Sequence, residues 1–146
     1  SIFRTSDGAG IQKLYLTGFT PRPPRKEIEK TALGATTSVD WEYAEDPVAL
    51  LRQLKENKVT IACLEHTDRS IPYTDVARSR FPLCLIVGNE ISGVSPHLLP
   101  LCDLSLEIPM FGVKHSLNVA VACGIALFEL TRILQPDPPP HSKASV

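Results

Sequence analysis

The sequence predicts an α/β fold: a mostly parallel sheet flanked by helices. Two runs, VTIACL at Val59 to Leu64 and LCLIV at Leu83 to Val87, read as buried-type strands, and the second is continuously apolar and bounded by turn signals. That is the pattern of parallel strands covered on both faces. Stretches with helical apolar spacing alternate with strand-like runs, as in folds whose parallel strands need crossover connections. A third feature organises the rest. In IPMFGVKHSLNVAVACGIALFE (Ile108 to Glu129) a strand breaks at Pro109, turns through Gly112, passes Lys114, His115, Ser116 and Asn118, and enters an apolar helix. Ligands bind where a parallel strand hands over to a helix N-terminus. The same residues also permit a plain structural reading, in which His115 or Ser116 is the helix N-cap.

In chain order, Ser1 to Ala9 reads as a short helix ending at Gly8 or Gly10. KLYLT (Lys13 to Thr17) is a strand. The segment GFTPRPPRKEIEK follows, stiffened by Pro21, Pro23 and Pro24 and made basic by Arg22, Arg25, Lys26 and Lys30. A stiff basic loop after a sheet strand suits phosphate contacts, although a solvated loop has the same composition. SVDWEY (Ser38 to Tyr43) is a second strand. Asp46 is placed to cap a helix with Pro47 in its first turn, and VALLRQLKEN carries the apolar stripe. Thr67 to Arg80 reads as polar and irregular. Pro96 to Leu101 reads as one short helix and Leu104 to Ile108 as the last strand. The final helix, about Ser116 to Leu134, is apolar nearly all round, which predicts burial, with a second subunit as one candidate cover.

The bulk numbers bound the function. A chain of 146 residues supports one domain. Residues 1–134 are assigned to it and the Pro-rich 135–146 to a tail. The chain opens at Ser1 as if within an element, so a strand is expected upstream. A net charge of −1 excludes nucleic-acid binding by bulk charge and leaves room for a local basic patch. Cys63, Cys84, Cys102 and Cys123 are far apart among apolar neighbours. They read as reduced core residues of a cytoplasmic protein, with neither a disulfide frame nor a metal site. No apolar run is long enough for a membrane span.

Parallel strands place their C-terminal ends on one edge. The loops Leu64-Glu65-His66-Thr67, Gly88-Asn89-Glu90-Ile91-Ser92-Gly93 and Ile108-Pro109-Met110 are therefore expected to line one crevice. Gly88 and Gly93 allow close backbone approach to a ligand. Neither GxGxxG nor a Walker lysine motif is present, so dinucleotides and nucleoside triphosphates are poorly supported. Backbone donors beside Leu64, Ile108, Met110 and Leu117 suit an adenine-containing small molecule.

Three stretches in this order, SIFRTSDGAG with LYLTG, then LIVGNEISGVS, then IPMFGVKHSLNVAVACGIALFE, resemble the motifs of the SpoU (TrmH-like) branch of the SPOUT RNA methyltransferases. The resemblance covers Ser1 to about Leu134. It implies a C-terminal deep trefoil knot, an exception to unknotted topology. It further implies a homodimer and S-adenosylmethionine held in the knot and released as S-adenosylhomocysteine. The reaction it implies is methylation of a ribose 2′-hydroxyl in structured tRNA or rRNA. By the resemblance, Gly88, Ile108 and Leu117 contact the cofactor through the backbone, and Leu64, Glu65, His66 and Thr67 form another wall. Asn89, Gly93, Met110 and Ser116 complete the expected cofactor site. Arg4 works on the target nucleotide, joined by Glu90 and the polar pair Ser116 and Asn118. RNA is expected at Arg4, Arg22, Arg25, Lys26, Lys114 and His115. The family's asparagine just upstream of this arginine would fall before Ser1. Two other readings stay open: a non-catalytic module that binds cofactor and RNA, and a Rossmann-like enzyme acting on a small metabolite.

Overall fold

A computed structural model of the chain describes residues 2–18, 38–89, 91–135 and 137. The elements run α1 (Ile2–Gly8), β1 (Leu14–Thr17), β2 (Trp41–Ala44), α2 (Pro47–Glu56), β3 (Thr60–Leu64), β4 (Ile71–Pro72), β5 (Leu83–Ile86), β6 (Leu104–Glu107) and α3 (Val119–Leu134). Strands β1 and β2 form a two-stranded sheet, and a four-stranded sheet has the order β4-β6-β3-β5. Every strand pair among the described residues is parallel.

Strand β3 is central because both its faces are apolar. Successive side chains point to opposite faces. Ile61 and Cys63 enter one core with Leu51 of α2, Val94 and Leu98. Ala62 enters the other with Val76, Leu106 and Leu130 of α3. A one-residue slip would exchange the two sets, pressing Ile61 into the space cut for Ala62. Burying a side chain such as Ile61 or Leu106 is worth roughly 1.5–3 kcal/mol, which makes that slip costly.

Helix α2 begins as its residues dictate: Asp46 accepts the Ala49 N–H at 3.1 Å and Pro47 occupies the first turn. The other boundaries shift. The second strand covers Trp41–Ala44 rather than Ser38 to Tyr43, because the short β1 sets the register Leu14↔Trp41. Val39 is buried instead against Phe3 and Leu16. Within Thr67 to Arg80 the chain forms β4, pairing Ile71 with Leu106, and two 3-10 turns, Tyr73–Asp75 and Arg78–Arg80. Pro72 is tolerated because β4 is an edge strand. The expected helix over Pro96 to Leu101 is a turn followed by the 3-10 segment Leu99–Leu101.

The last helix starts at Val119, three residues later than Ser116, and its cap is neither His115 nor Ser116. Asn118 caps it, accepting from the N–H of Ala120 at 2.9 Å and of Val121 at 3.4 Å. Its inner face (Cys123, Ala126, Leu127, Leu130) is buried at helical spacing. The outer face is not: Val121 and Phe128 are each 52% exposed and Ile125 is 37% exposed. A single chain thus covers one side only of a helix whose composition predicts burial all round. Helix α1 packs on α3, where the Thr131 hydroxyl donates to the Ala9 carbonyl at 2.8 Å. No helix among the described residues is long and apolar enough to cross a membrane.

Candidate functional site

The strand order decides the site. Because β3 lies between β5 and β6, and all three run the same way, their C-terminal ends share one edge. Cys63 sits opposite Ile86, and Leu64 opposite Leu106. The loops that follow, beginning at Glu65, Val87 and Ile108, leave the sheet side by side. The expected convergence of the LEHT, GNEISG and IPMFGVKHS loops is therefore present for their described residues.

Hydrogen bonds tie the first of these loops to β6. The backbone N–H of Glu65 donates to the Leu106 carbonyl at 3.1 Å. The Ser105 hydroxyl donates to the Glu65 carbonyl at 2.7 Å and accepts from the Thr67 hydroxyl at 3.3 Å. His66 Nδ1 and the Glu107 carboxylate are hydrogen-bonded, with the imidazole mostly exposed. Ser105 and Glu107 hold the first loop in place, yet nothing in the string LSLE distinguishes them from ordinary strand residues. Their signal is only the alternation that separates them from Leu104 and Leu106.

The second loop is a closed turn. Asn89 and Gly93 exchange backbone hydrogen bonds at 3.1 and 2.9 Å. The Asn89 side chain accepts from Ile91 N–H at 2.7 Å and Ser92 N–H at 3.4 Å. Gly93 has φ +70°, in the left-handed region. A Cβ on Gly88 would lie 2.1 Å from the Gly93 carbonyl carbon and 2.3 Å from the Val94 nitrogen. Gly88 is required by that contact between two strands of the turn, so its role here is packing of backbone on backbone. Glu90 lies outside the described residues.

The third loop stands open. Residues 109–118 are all exposed. They include Lys114, His115, Ser116 and Asn118, as well as Phe111 and Val113. Ile108 is half-buried at the sheet edge, and Met110 and Leu117 are 36% and 37% exposed. Arg4 lies on α1, exposed, with no ion-pair partner among the described residues. Its neighbour Thr5 lines a cleft of about 510 Å³ with Ala120, Val121, Gly124, Ile125 and Phe128. This cleft lies between helices rather than at the strand ends. It joins the arginine-bearing helix to the start of α3. Arg22, Arg25 and Lys26 lie outside the described residues.

Beneath the loops, Cys63 is lowered from the ordinary thiol range by the hydrogen bond with Cys102, and Cys102 is correspondingly raised. Cys63 is 1% exposed and so closed to reagents, while Cys102 is half-buried. Burial pushes Cys84 and Cys123 up to about 11. All four cysteines are free thiols.

The sequence and the fold have counterparts in known proteins. The sequence is 35% identical over 133 residues to the tRNA (guanosine(18)-2′-O)-methyltransferase of Aquifex aeolicus, covering 90% of this chain and 62% of that protein. The crystal structure of the A. aeolicus TrmH/SpoU tRNA modifying enzyme superposes with a TM-score of 0.82 at 32% identity, over 92% of this chain and 68% of that one. The AdoMet-bound rRNA methyltransferase from Sinorhizobium meliloti gives 0.81 at 30% identity, over 90% of this chain and 49% of that one. The chain spans between 52% and 62% of the length of the first curated relatives it matches. The profile described as the SpoU rRNA Methylase family matches residues 1–128. The three motifs, the parallel sheet with converging loops and the profile match agree: this chain belongs to the SpoU rRNA Methylase family.

Proposed function

We propose that this chain is the core of an S-adenosylmethionine-dependent methyltransferase acting on a ribose 2′-hydroxyl of tRNA or rRNA. The observation that carries the reading is the convergence of three motif-bearing loops on one edge of a parallel sheet around β3. The chemistry of the edge fits the cofactor. Met110 and Leu117 leave apolar surface open beside the backbone polar groups of the strand ends. A purine ring can cover such surface while those groups read its edges. The same reading places the C-terminal part in a deep trefoil knot, supported by the likeness to the TrmH/SpoU structures. Free thiols fit a cytoplasmic protein.

The cofactor supplies an electrophilic methyl group, so the protein's task is mainly placement. The backbone of Gly88, Ile108 and Leu117 holds the cofactor, with Leu64 to Thr67 as the facing wall. Arg4 grips a phosphate of the target nucleotide and polarises the 2′-hydroxyl. A guanidinium does not surrender its proton under these conditions. Arg4 therefore orients and stabilises, and the substrate phosphate shares the hydroxyl proton. Ser116 and Asn118 hold the ribose, and Glu90 joins them in acting on the target nucleotide. The basic residues Arg22, Arg25 and Lys26, with Lys114 and His115, supply the local RNA-binding patch that a net charge of −1 demands.

The exposed stripe Val121, Ile125 and Phe128, with Thr5, fits a second copy of this chain. A homodimer would bury the stripe and bring one copy's Arg4 beside the partner's α3.

The test is transfer of a tritiated methyl group from S-adenosylmethionine to total tRNA and to rRNA, with nuclease mapping of the product, alongside calorimetric titration with the cofactor. Label in a ribose 2′-O-methyl nucleotide supports the reading. Binding without transfer to either RNA favours a non-catalytic module, and absence of binding removes the cofactor from the site.

A further inference from the structure

We infer that Glu65 is a positioning residue whose carboxylate sets the Asn89–Gly93 turn against the sheet. The inference rests on the cofactor reading above for its functional consequence, but its geometry stands by itself. The sequence places Glu65 in the wall of the site, where an acidic side chain invites a role as ligand contact. The structure gives the carboxylate a different partner. One oxygen accepts the Val94 N–H at 3.0 Å. Both oxygens lie 2.8 Å from the point that a Cβ on Gly93 would occupy.

Glu65 thereby ties together all three strand ends. It follows β3 directly. Its N–H donates to Leu106 and its carbonyl accepts from Ser105, both on β6. Its side chain reaches the loop that follows β5. Neighbouring strands are held by their ladder, but the loops beyond the ladder have no such tie. The Asn89–Gly93 turn is closed internally by its own hydrogen bonds, so it can move only as a unit. Among the described residues three contacts restrain that unit: the Val94 side chain seated in the core with Leu51, Ile61 and Cys63, the backbone packing at Gly88, and the Glu65–Val94 hydrogen bond. A hydrogen bond to an ionised acceptor is the stronger kind. Gly93 is thus doubly constrained, by its positive φ and by the carboxylate beside it.

The experiment compares Glu65→Ala, Glu65→Gln and the wild type by amide hydrogen exchange without ligand, by thermal unfolding, and by titration with S-adenosylmethionine. In Glu65→Ala the Val94 amide exchanges at least tenfold faster, while the melting temperature stays within a few degrees. The Kd for S-adenosylmethionine rises roughly tenfold, the size of one lost charge-assisted hydrogen bond. Glu65→Gln restores both to within about threefold, because its side-chain oxygen accepts the same N–H. A second comparison adds Gly93→Ala to the wild type and to Glu65→Ala. Its penalty on Kd is smaller in the Glu65→Ala background than in the wild type, since the clash with the carboxylate is gone and only the φ strain remains. Unchanged Val94 exchange in Glu65→Ala overturns the assignment. So does an unchanged Kd, a Gln variant as weak as the Ala variant, or an equal Gly93→Ala penalty in both backgrounds. Failure of the wild type to bind S-adenosylmethionine would remove the cofactor reading, while the exchange data would still decide the role of Glu65.

Discussion

The Asp103 carboxylate accepts the backbone N–H of Ile61 at 2.8 Å, joining the start of β6 to the most buried strand of the sheet. Its other oxygen accepts from Lys55 Nζ at 2.9 Å, which ties α2 to the same point. Burial pushes this carboxyl up, but the Ile61 N–H and the Lys55 ammonium outweigh it and hold the group below its usual range. The lysine pair is partly exposed and adds little. The Ile61 N–H matters more, because a buried donor left without a partner costs about 1–3 kcal/mol. Asp103→Ala is therefore expected to destabilise the protein by about that amount in urea unfolding at pH 7. A group whose folded pKa is depressed stabilises above its unfolded value, and that contribution is lost as pH falls through the lower folded value. The difference between wild type and Asp103→Ala should thus shrink as the pH falls through and below the ordinary carboxylate range. A constant difference across that range would remove the ionised carboxylate from the account.

Gly88→Ala tests the second loop by a different route. The new methyl would meet backbone at 2.1 to 2.4 Å, and backbone cannot swing aside as a long side chain can. The strand end must shift, at a cost of roughly 1–3 kcal/mol typical of overpacking. Cofactor affinity should fall more than tenfold, about 1.4 kcal/mol or more. Calorimetry and thermal unfolding measure the two effects, and wild-type cofactor affinity in this variant would show that the turn is no part of the site.

The outer face of α3 predicts assembly. Val121→Asp and Phe128→Asp alter side chains that are half exposed in the single chain, so they leave its core intact. Sedimentation equilibrium should show a dimer for the wild type and a monomer for either variant. Melting temperature should become independent of protein concentration once the dimer is lost. A monomeric wild type would leave the apolar stripe without its proposed cover.

Arg4 and the basic loop separate chemistry from binding. Arg4→Ala is expected to abolish methyl transfer with cofactor affinity near wild type, since the proposed function assigns this side chain to the nucleotide. Loss of cofactor binding in that variant would refute the placement. Arg22→Glu with Arg25→Glu should weaken RNA binding and flatten its salt dependence, with the cofactor Kd unchanged. Unaltered RNA binding would take the loop out of the interface.

Local chemistry made much of this protein readable from its residues. The runs VTIACL and LCLIV announce β3 and β5 because a strand buried on both faces has no polar alternation to hide. Asp46 and Pro47 announce the start of α2 because capping is settled within one turn. Parallel strands alone put the three loops on one edge of the sheet, and the order β6-β3-β5 then sets them side by side. Tertiary structure decided what depends on partners distant in sequence. Asn118 rather than Ser116 caps α3, because both side chains are chemically acceptable caps and the path off the sheet selects between them. The outer face of α3 is left open in the single chain because one sheet face can bury only one helix face. The Glu65–Val94 and Asp103–Ile61 bonds span 29 and 42 residues. No periodicity encodes such pairs; they exist because burial on both faces of β3 fixes its neighbours, and the neighbours bring the carboxylates within reach.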